Sequence, residues 1–127
     1  MYRDRTVALV IPAYNEERLI RPTLESVHEL IDRVYVVDDG SIDGTREVVG
    51  ELAMTDARIE LIEQGSNRGV GRAIITGYQR ASGDGIDLVV VVGGDHQMPM
   101  EQIPDLLDPL VEGRADYTKG NRFLMPD

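Results

Sequence analysis

The 127 residues, 42% of them hydrophobic, suffice for one compact domain with its own core and not for two. Cysteine is absent, which removes a disulfide scaffold, a thiolate metal site and a cysteine nucleophile together and fits a reducing compartment. Twenty-three acidic against thirteen basic residues give a formal net charge of −10, which argues against nucleic-acid binding and electrostatic docking on anionic lipid.

The first apolar run, Thr6 to Ile11, is short, β-branched and closed by Pro12, so it reads as a buried strand. It is too brief for a signal-peptide core or a membrane helix. From Glu16 to Leu30 the residues Leu19, Ile20, Leu24, Val27 and Leu30 recur at helical spacing, with Pro22 early enough to be tolerated. Val34–Val37 predicts a second strand, stopped by Asp38-Asp39-Gly40-Ser41, and a second helix is expected over Thr45–Ala53 with Asp43 or Thr45 as cap. Arg58–Glu63 alternates as a third strand. Val70–Ala81 predicts a third helix with Ala73, Ile74, Gly77 and Tyr78 on one face. After the turn Ser82–Gly85, Ile86–Val92 is the most apolar strand of the chain and ends at Gly93-Gly94-Asp95. A fourth helix is expected over roughly Met100–Glu112, and a last short strand over Asp116–Thr118.

Strand and helix alternating in this way, with continuously apolar strands, argue an α/β fold with a mainly parallel sheet covered on both faces. In such sheets ligands bind beyond the carboxyl ends of the strands. There the unusual residues gather: Pro12-Ala13-Tyr14-Asn15-Glu16-Glu17, Asp38-Asp39-Gly40-Ser41 and Gly93-Gly94-Asp95-His96-Gln97. Carboxylates collected on one edge call for a divalent metal or a ligand rich in N–H and O–H groups. Helix capping alone would explain any single one of them, though hardly three clusters. The cations are skewed as well, since Lys119 is the only lysine. With the acidic excess, that skew points to a salt-adapted, halophilic archaeal source or to codon bias with a preference for bidentate anion-binding forks.

In order, VIPAYNEE (Val10–Glu17), VVDDGSIDGT (Val36–Thr45), NRGVGRAIITGYQRA (Asn67–Ala81), VVVVGGDHQMPMEQIPDLL (Val89–Leu107) and ADYTKGNRF (Ala115–Phe123) resemble the N-terminal part of a family 2 glycosyltransferase of the GT-A fold. The flavour is that of polyprenyl-phosphate (dolichyl-phosphate) mannose and glucose synthases. The resemblance covers nearly the whole chain. It implies a three-layer, Rossmann-like sheet and one donor-binding domain over residues 1–127 that is incomplete at its C-terminus. It also implies a UDP- or GDP-sugar donor and a cytoplasmic location, at the membrane face in the full-length protein.

Residue by residue, the resemblance implies that Pro12, Ala13, Tyr14 and Glu16 line the base and ribose and that Asp39 hydrogen-bonds the base. Gly40 would leave room for the ligand, with Ser41 in the same motif. An aromatic face beside carboxylate acceptors is sound chemistry for an imide N–H and ribose hydroxyls. Asn67, Gly69, Gly71 and Arg72 match the donor-side loop and helix start, where helix N–H groups and a guanidinium can face diphosphate. The family's Asp-x-Asp at the end of the fourth strand holds Mg²⁺ or Mn²⁺ against the leaving group. Here that triplet reads Gly93-Gly94-Asp95, so Asp95 is the single expected metal and catalytic carboxylate. Gly94 and Gln97 flank it in the donor site; His96 could add a ligand but reads rather as a surface or helix-start residue.

Arg122 matches the position that faces the acceptor phosphate in similar synthases, and guanidinium suits it. The family's general-base carboxylate and its amphipathic or membrane tail would lie beyond Asp127, so membrane contact is expected only through such a segment. A phosphate monoester is already largely anionic at neutral pH and needs no base, whereas a hydroxyl acceptor does. The expected reaction is therefore metal-assisted inverting transfer to a polyprenyl phosphate. The alternatives are a non-catalytic nucleotide-sugar-binding fragment and, more remotely, a phosphoacceptor receiver domain, whose acidic pair, Asp-x-x-Met-Pro and lysine are imitated by Asp38-Asp39, Asp95 to Pro99 and Lys119. A dinucleotide dehydrogenase would need a glycine fingerprint after the first strand, where Pro12-Ala13-Tyr14-Asn15 stands.

Overall fold

The computed structural model describes residues 1–65, 67–93, 103, 104, 107, 118–120 and 123–125. Four strands, β1 (Val7–Ala13), β2 (Arg33–Asp38), β3 (Ile59–Glu63) and β4 (Leu88–Val92), alternate with α1 (Ile20–Glu25), α2 (Thr45–Ala53) and α3 (Val70–Gly83). They are followed by β5 (Thr118–Gly120) and β6 (Phe123–Met125). The strand order is β3-β2-β1-β4-β6-β5. β1 to β4 run parallel, β6 is antiparallel to β4, and β5 is antiparallel to β6. A receiver domain would seat its third strand beside the first, whereas here β3 lies outside β2, so that reading is excluded.

The strands alternate their side chains between two cores. Val7, Leu9, Ile11, Val34, Val36, Leu88 and Val90 face α1 and α2 with Ile20, Leu24 and Val49. Ala8, Val10, Tyr35, Val37, Val89 and Val91 face α3 through Ala73 and Ala81. The sheet is thus covered on both sides, which is why its strands read as unbroken apolar runs. Of the expected fourth helix, Ile103, Pro104 and Leu107 are described as helical, with Ile103 and Leu107 fully buried in the α1/α2 core; its remaining residues lie outside the described set. Among the described residues no helix is long and apolar enough to cross a membrane.

Four elements differ from expectation. β1 runs through Pro12 to Ala13. Ala13 O accepts from Asp39 N on the β2 side, so by alternation the Pro12 nitrogen faces β4, whose ladder to β1 has already ended at Val10. No ladder bond is lost. The first helix is only Ile20–Glu25, because Thr23 Oγ1 and Ser26 Oγ donate to the backbone at Leu19 and Thr23, and His28 Nδ1 accepts from Leu30 N. Val27 and Leu30 still reach the core from turns, which is why their spacing imitates helix. The last strand begins at Thr118, and a second strand, β6, pairs back on it.

Candidate active site

Every strand of the parallel sheet delivers its carboxyl end to the same edge, and two loops there are stitched together. Asn15 N donates to Ser41 Oγ at 2.9 Å, Glu16 N to Thr45 Oγ1 at 2.9 Å, and Ile42 N to Asn15 Oδ1 at 2.9 Å. Gly44 N donates to Glu17 Oε1 at 3.0 Å. Asn15 takes a positive φ of 53°, which an Asx side chain tolerates better than most. The β1–α1 loop is thereby held at a fixed height beside the β2–α2 loop, and its Tyr14 ring is left 42% exposed.

Asp39 sits just past β2 and is only 4% exposed. Its Oδ1 accepts from Arg68 N at 2.7 Å and from Gln64 Nε2 at 2.8 Å, and its Oδ2 accepts from Gly69 N at 2.9 Å. These bonds draw the β3–α3 loop against the end of β2. Gly69, at φ 97°, caps α3, whose first backbone bond runs from Ala73 N to Gly69 O. The N–H groups of Val70, Gly71 and Arg72 therefore have no partner within the helix and point past its start.

Between these loops lies a cleft of about 240 Å³ lined by Pro12, Ala13, Tyr14, Glu16, Asp39, Asn67, Gly69, Val70 and Ala73. Seven expected donor-site residues, Pro12, Ala13, Tyr14, Glu16, Asp39, Asn67 and Gly69, come together there. Ser41 is buried behind the cleft wall, receiving Asn15 N and donating its own N–H to Asp38 Oδ2 at 3.2 Å. Gly40, at φ 84°, makes the turn between them. Gly71 and Arg72 lie exposed on the first turn of α3, outside the lining. Gly94, Asp95, Gln97 and Arg122 lie outside the described residues.

Asp38, the other half of the acidic pair, is not in the cleft. It is 1% exposed, with Arg46 Nε 3.8 Å from its Oδ2; its Oδ1 and Arg46 Nε are buried without a hydrogen bond among the described residues. Gln64 is the lining's support that sequence reasoning missed. Its only signal was an amide placed directly after the third strand, as the acidic Asp39 follows the second. Val70 and Ala73 were read as helix residues and also form the cleft wall.

The sequence profile described as Glycosyl transferase family 2 matches residues 8–126. The chain is 30% identical over 136 residues to the UDP-N-acetylglucosamine–dolichyl-phosphate N-acetylglucosaminyltransferase of Methanococcus voltae, covering 97% of this chain and 54% of that protein. It is 34% identical to the dolichol-phosphate mannosyltransferase of Pyrococcus furiosus, covering 93% of this chain and 33% of that one. Among solved structures, a mannosyltransferase from Pyrobaculum calidifontis in complex with GDP-Man and Mn²⁺ matches 84% of this chain and 32% of its own at 26% identity, with a TM-score of 0.73. Glucosyl-3-phosphoglycerate synthase from Mycobacterium tuberculosis in complex with UDP matches 90% of this chain and 43% of its own at 25% identity, with a TM-score of 0.68. The chain thus spans about a third to a half of the length of these four proteins.

Proposed function

The chain belongs to glycosyltransferase family 2 and has the GT-A fold, and from that premise we propose that it is the donor-binding part of an enzyme that moves a sugar from a UDP- or GDP-sugar to a polyprenyl phosphate. The observation that carries the reading is the Asp39 cleft, where a buried carboxylate, an exposed aromatic ring and a helix N-terminus meet at the carboxyl edge of the sheet. In this reading Tyr14 stacks on the base and Asp39 accepts from its ring N–H. Glu16 accepts from the ribose, and the free N–H groups at the start of α3 face the diphosphate.

Among the described residues no group of three acidic or histidine side chains could hold a metal, and both Asp39 oxygens already serve protein donors. The family resemblance assigns the Mg²⁺ or Mn²⁺ to Asp95, with Gly94 and Gln97 near it in sequence. One carboxylate plus phosphate oxygens and water is an oxygen donor set that suits either ion. When bound, the ion neutralises charge on the diphosphate leaving group. Arg122 would hold the acceptor phosphate, which attacks the anomeric carbon without a general base because it is already anionic.

Calorimetric titration of the chain with UDP, GDP and their sugars, with and without Mn²⁺, tests this. Asp39→Asn is expected to weaken nucleotide binding at least about tenfold, since it puts an amide N–H where the loop needs an acceptor. Asp95→Ala is expected to remove the gain from Mn²⁺ and leave metal-free binding alone. If no nucleoside diphosphate binds, the donor-site reading fails.

A further inference from the structure

Gln64 has a fixed role at Asp39. An ionised carboxylate only accepts, so the atom of Gln64 facing Asp39 Oδ1 at 2.8 Å must be the amide nitrogen. Its Oε1 then accepts from Thr76 Oγ1 at 2.6 Å, one and a half turns into α3. The amide cannot flip without setting its oxygen against a carboxylate oxygen.

This fixes how much of Asp39 remains for a ligand. A carboxylate accepts about four hydrogen bonds, two on each oxygen. Oδ1 takes Arg68 N and Gln64 Nε2; Oδ2 takes Gly69 N. One acceptor position is left, on Oδ2. Guanine offers two donors side by side, its ring N–H and its exocyclic amine, which a carboxylate receives on both oxygens. Uracil offers one imide N–H between two carbonyls.

We infer that Gln64, held by Thr76, is a positioning residue that sets nucleotide specificity: by saturating Asp39 Oδ1 it leaves a single acceptor, which fits the one-donor edge of uracil and rejects the two-donor edge of guanine. The inference rests on Asp39 being the base acceptor, as proposed above. It selects a uridine diphosphate donor over a guanosine one.

The test is calorimetric titration of the full chain with UDP and with GDP, for the wild type, Gln64→Leu, Thr76→Val and Asp39→Asn, with far-UV circular dichroism of each. The wild type is expected to bind UDP at least about tenfold tighter than GDP, the discrimination of one unmatched base contact. Gln64→Leu frees a position on Oδ1 and is expected to bring the two affinities within about threefold, mainly by strengthening GDP. Thr76→Val keeps the amide but removes its anchor, so its ratio should fall between them. A general loss of structure would weaken both nucleotides together and leave the ratio unmoved. GDP binding the wild type as tightly as UDP overturns the inference while leaving the site reading standing, and so does an unchanged ratio in a folded Gln64→Leu. Should Gln64→Leu not fold, the wild-type ratio and Thr76→Val decide alone. Neither nucleotide binding the wild type, or Asp39→Asn leaving both affinities unchanged, overturns the site reading itself.

Discussion

At the scale of single residues, the site is built by polar groups that spend their hydrogen bonds on backbone. Ser41 does not line the cleft, yet its hydroxyl receives Asn15 N and so fixes the loop that presents Tyr14. Ser41→Ala would leave that N–H without its partner, and is expected to lower unfolding free energy by about 1 to 3 kcal/mol in urea titrations. Nucleotide binding should weaken less than in Asp39→Asn. Gln64 shows the limit of motif reading at this scale. The motifs around Asp39 and Asn67 were legible because their residue types suit nucleotide chemistry. A glutamine after a strand has no such signature, and only the distance to Asp39 Oδ1 gives it meaning.

At the scale of elements, the placement of α3 against β1 decides where the cleft opens. Gly77 lies on the buried face of α3, and a methyl added there would run into Val10 Cγ1, a side chain held at 0% exposure in β1. Gly77→Ala is therefore expected to cost about 1 to 3 kcal/mol by overpacking, measured by urea unfolding. Combining it with Val10→Ala should cost less than the sum of the two, since each makes room for the other. The same helix is tied to β2 at its far end, where Tyr35 Oη donates to Asp84 Oδ2 at 2.5 Å. Burial and then that bond to a carboxylate push the Tyr35 phenol up to about 12. A proton held more tightly in the folded state stabilises the fold below the ordinary tyrosine value near 10, and that stability is lost as pH rises from about 10 to about 12. The thermal midpoint should fall over that interval, and Tyr35→Phe should flatten the fall.

At the scale of the whole molecule, an acidic chain keeps its carboxylates by giving several of them donors within the fold. Asp56 is held below its ordinary value by the Arg58 guanidinium, and Asp87 by the backbone N–H and then the hydroxyl of Thr6. These groups bridge elements. Arg58 also donates to His28 O and Ile31 O before β2, and Thr6 joins the starts of β1 and β4. A depressed carboxylate stabilises the fold above the unfolded carboxylate value, near 4, and loses that contribution as pH falls through the lower folded value. The thermal midpoint is therefore expected to hold from pH 7 to about 5 and to drop below about pH 4, with a smaller drop in Asp56→Asn. Fold class and the parallel strands were determined by the sequence itself, which also put the proposed site at the carboxyl ends of those strands. Unbroken apolar strands must be covered on both faces, and in open sheets of this kind ligands bind beyond the carboxyl ends of the strands. Tertiary structure alone decided the short first helix, the turn back through β6, and above all the state of Asp39. Its remaining hydrogen-bonding capacity depends on Gln64, Arg68 and Gly69, all in the loop between β3 and α3, and these residues, 25 to 30 positions away in sequence, meet its two oxygens only after the chain has folded.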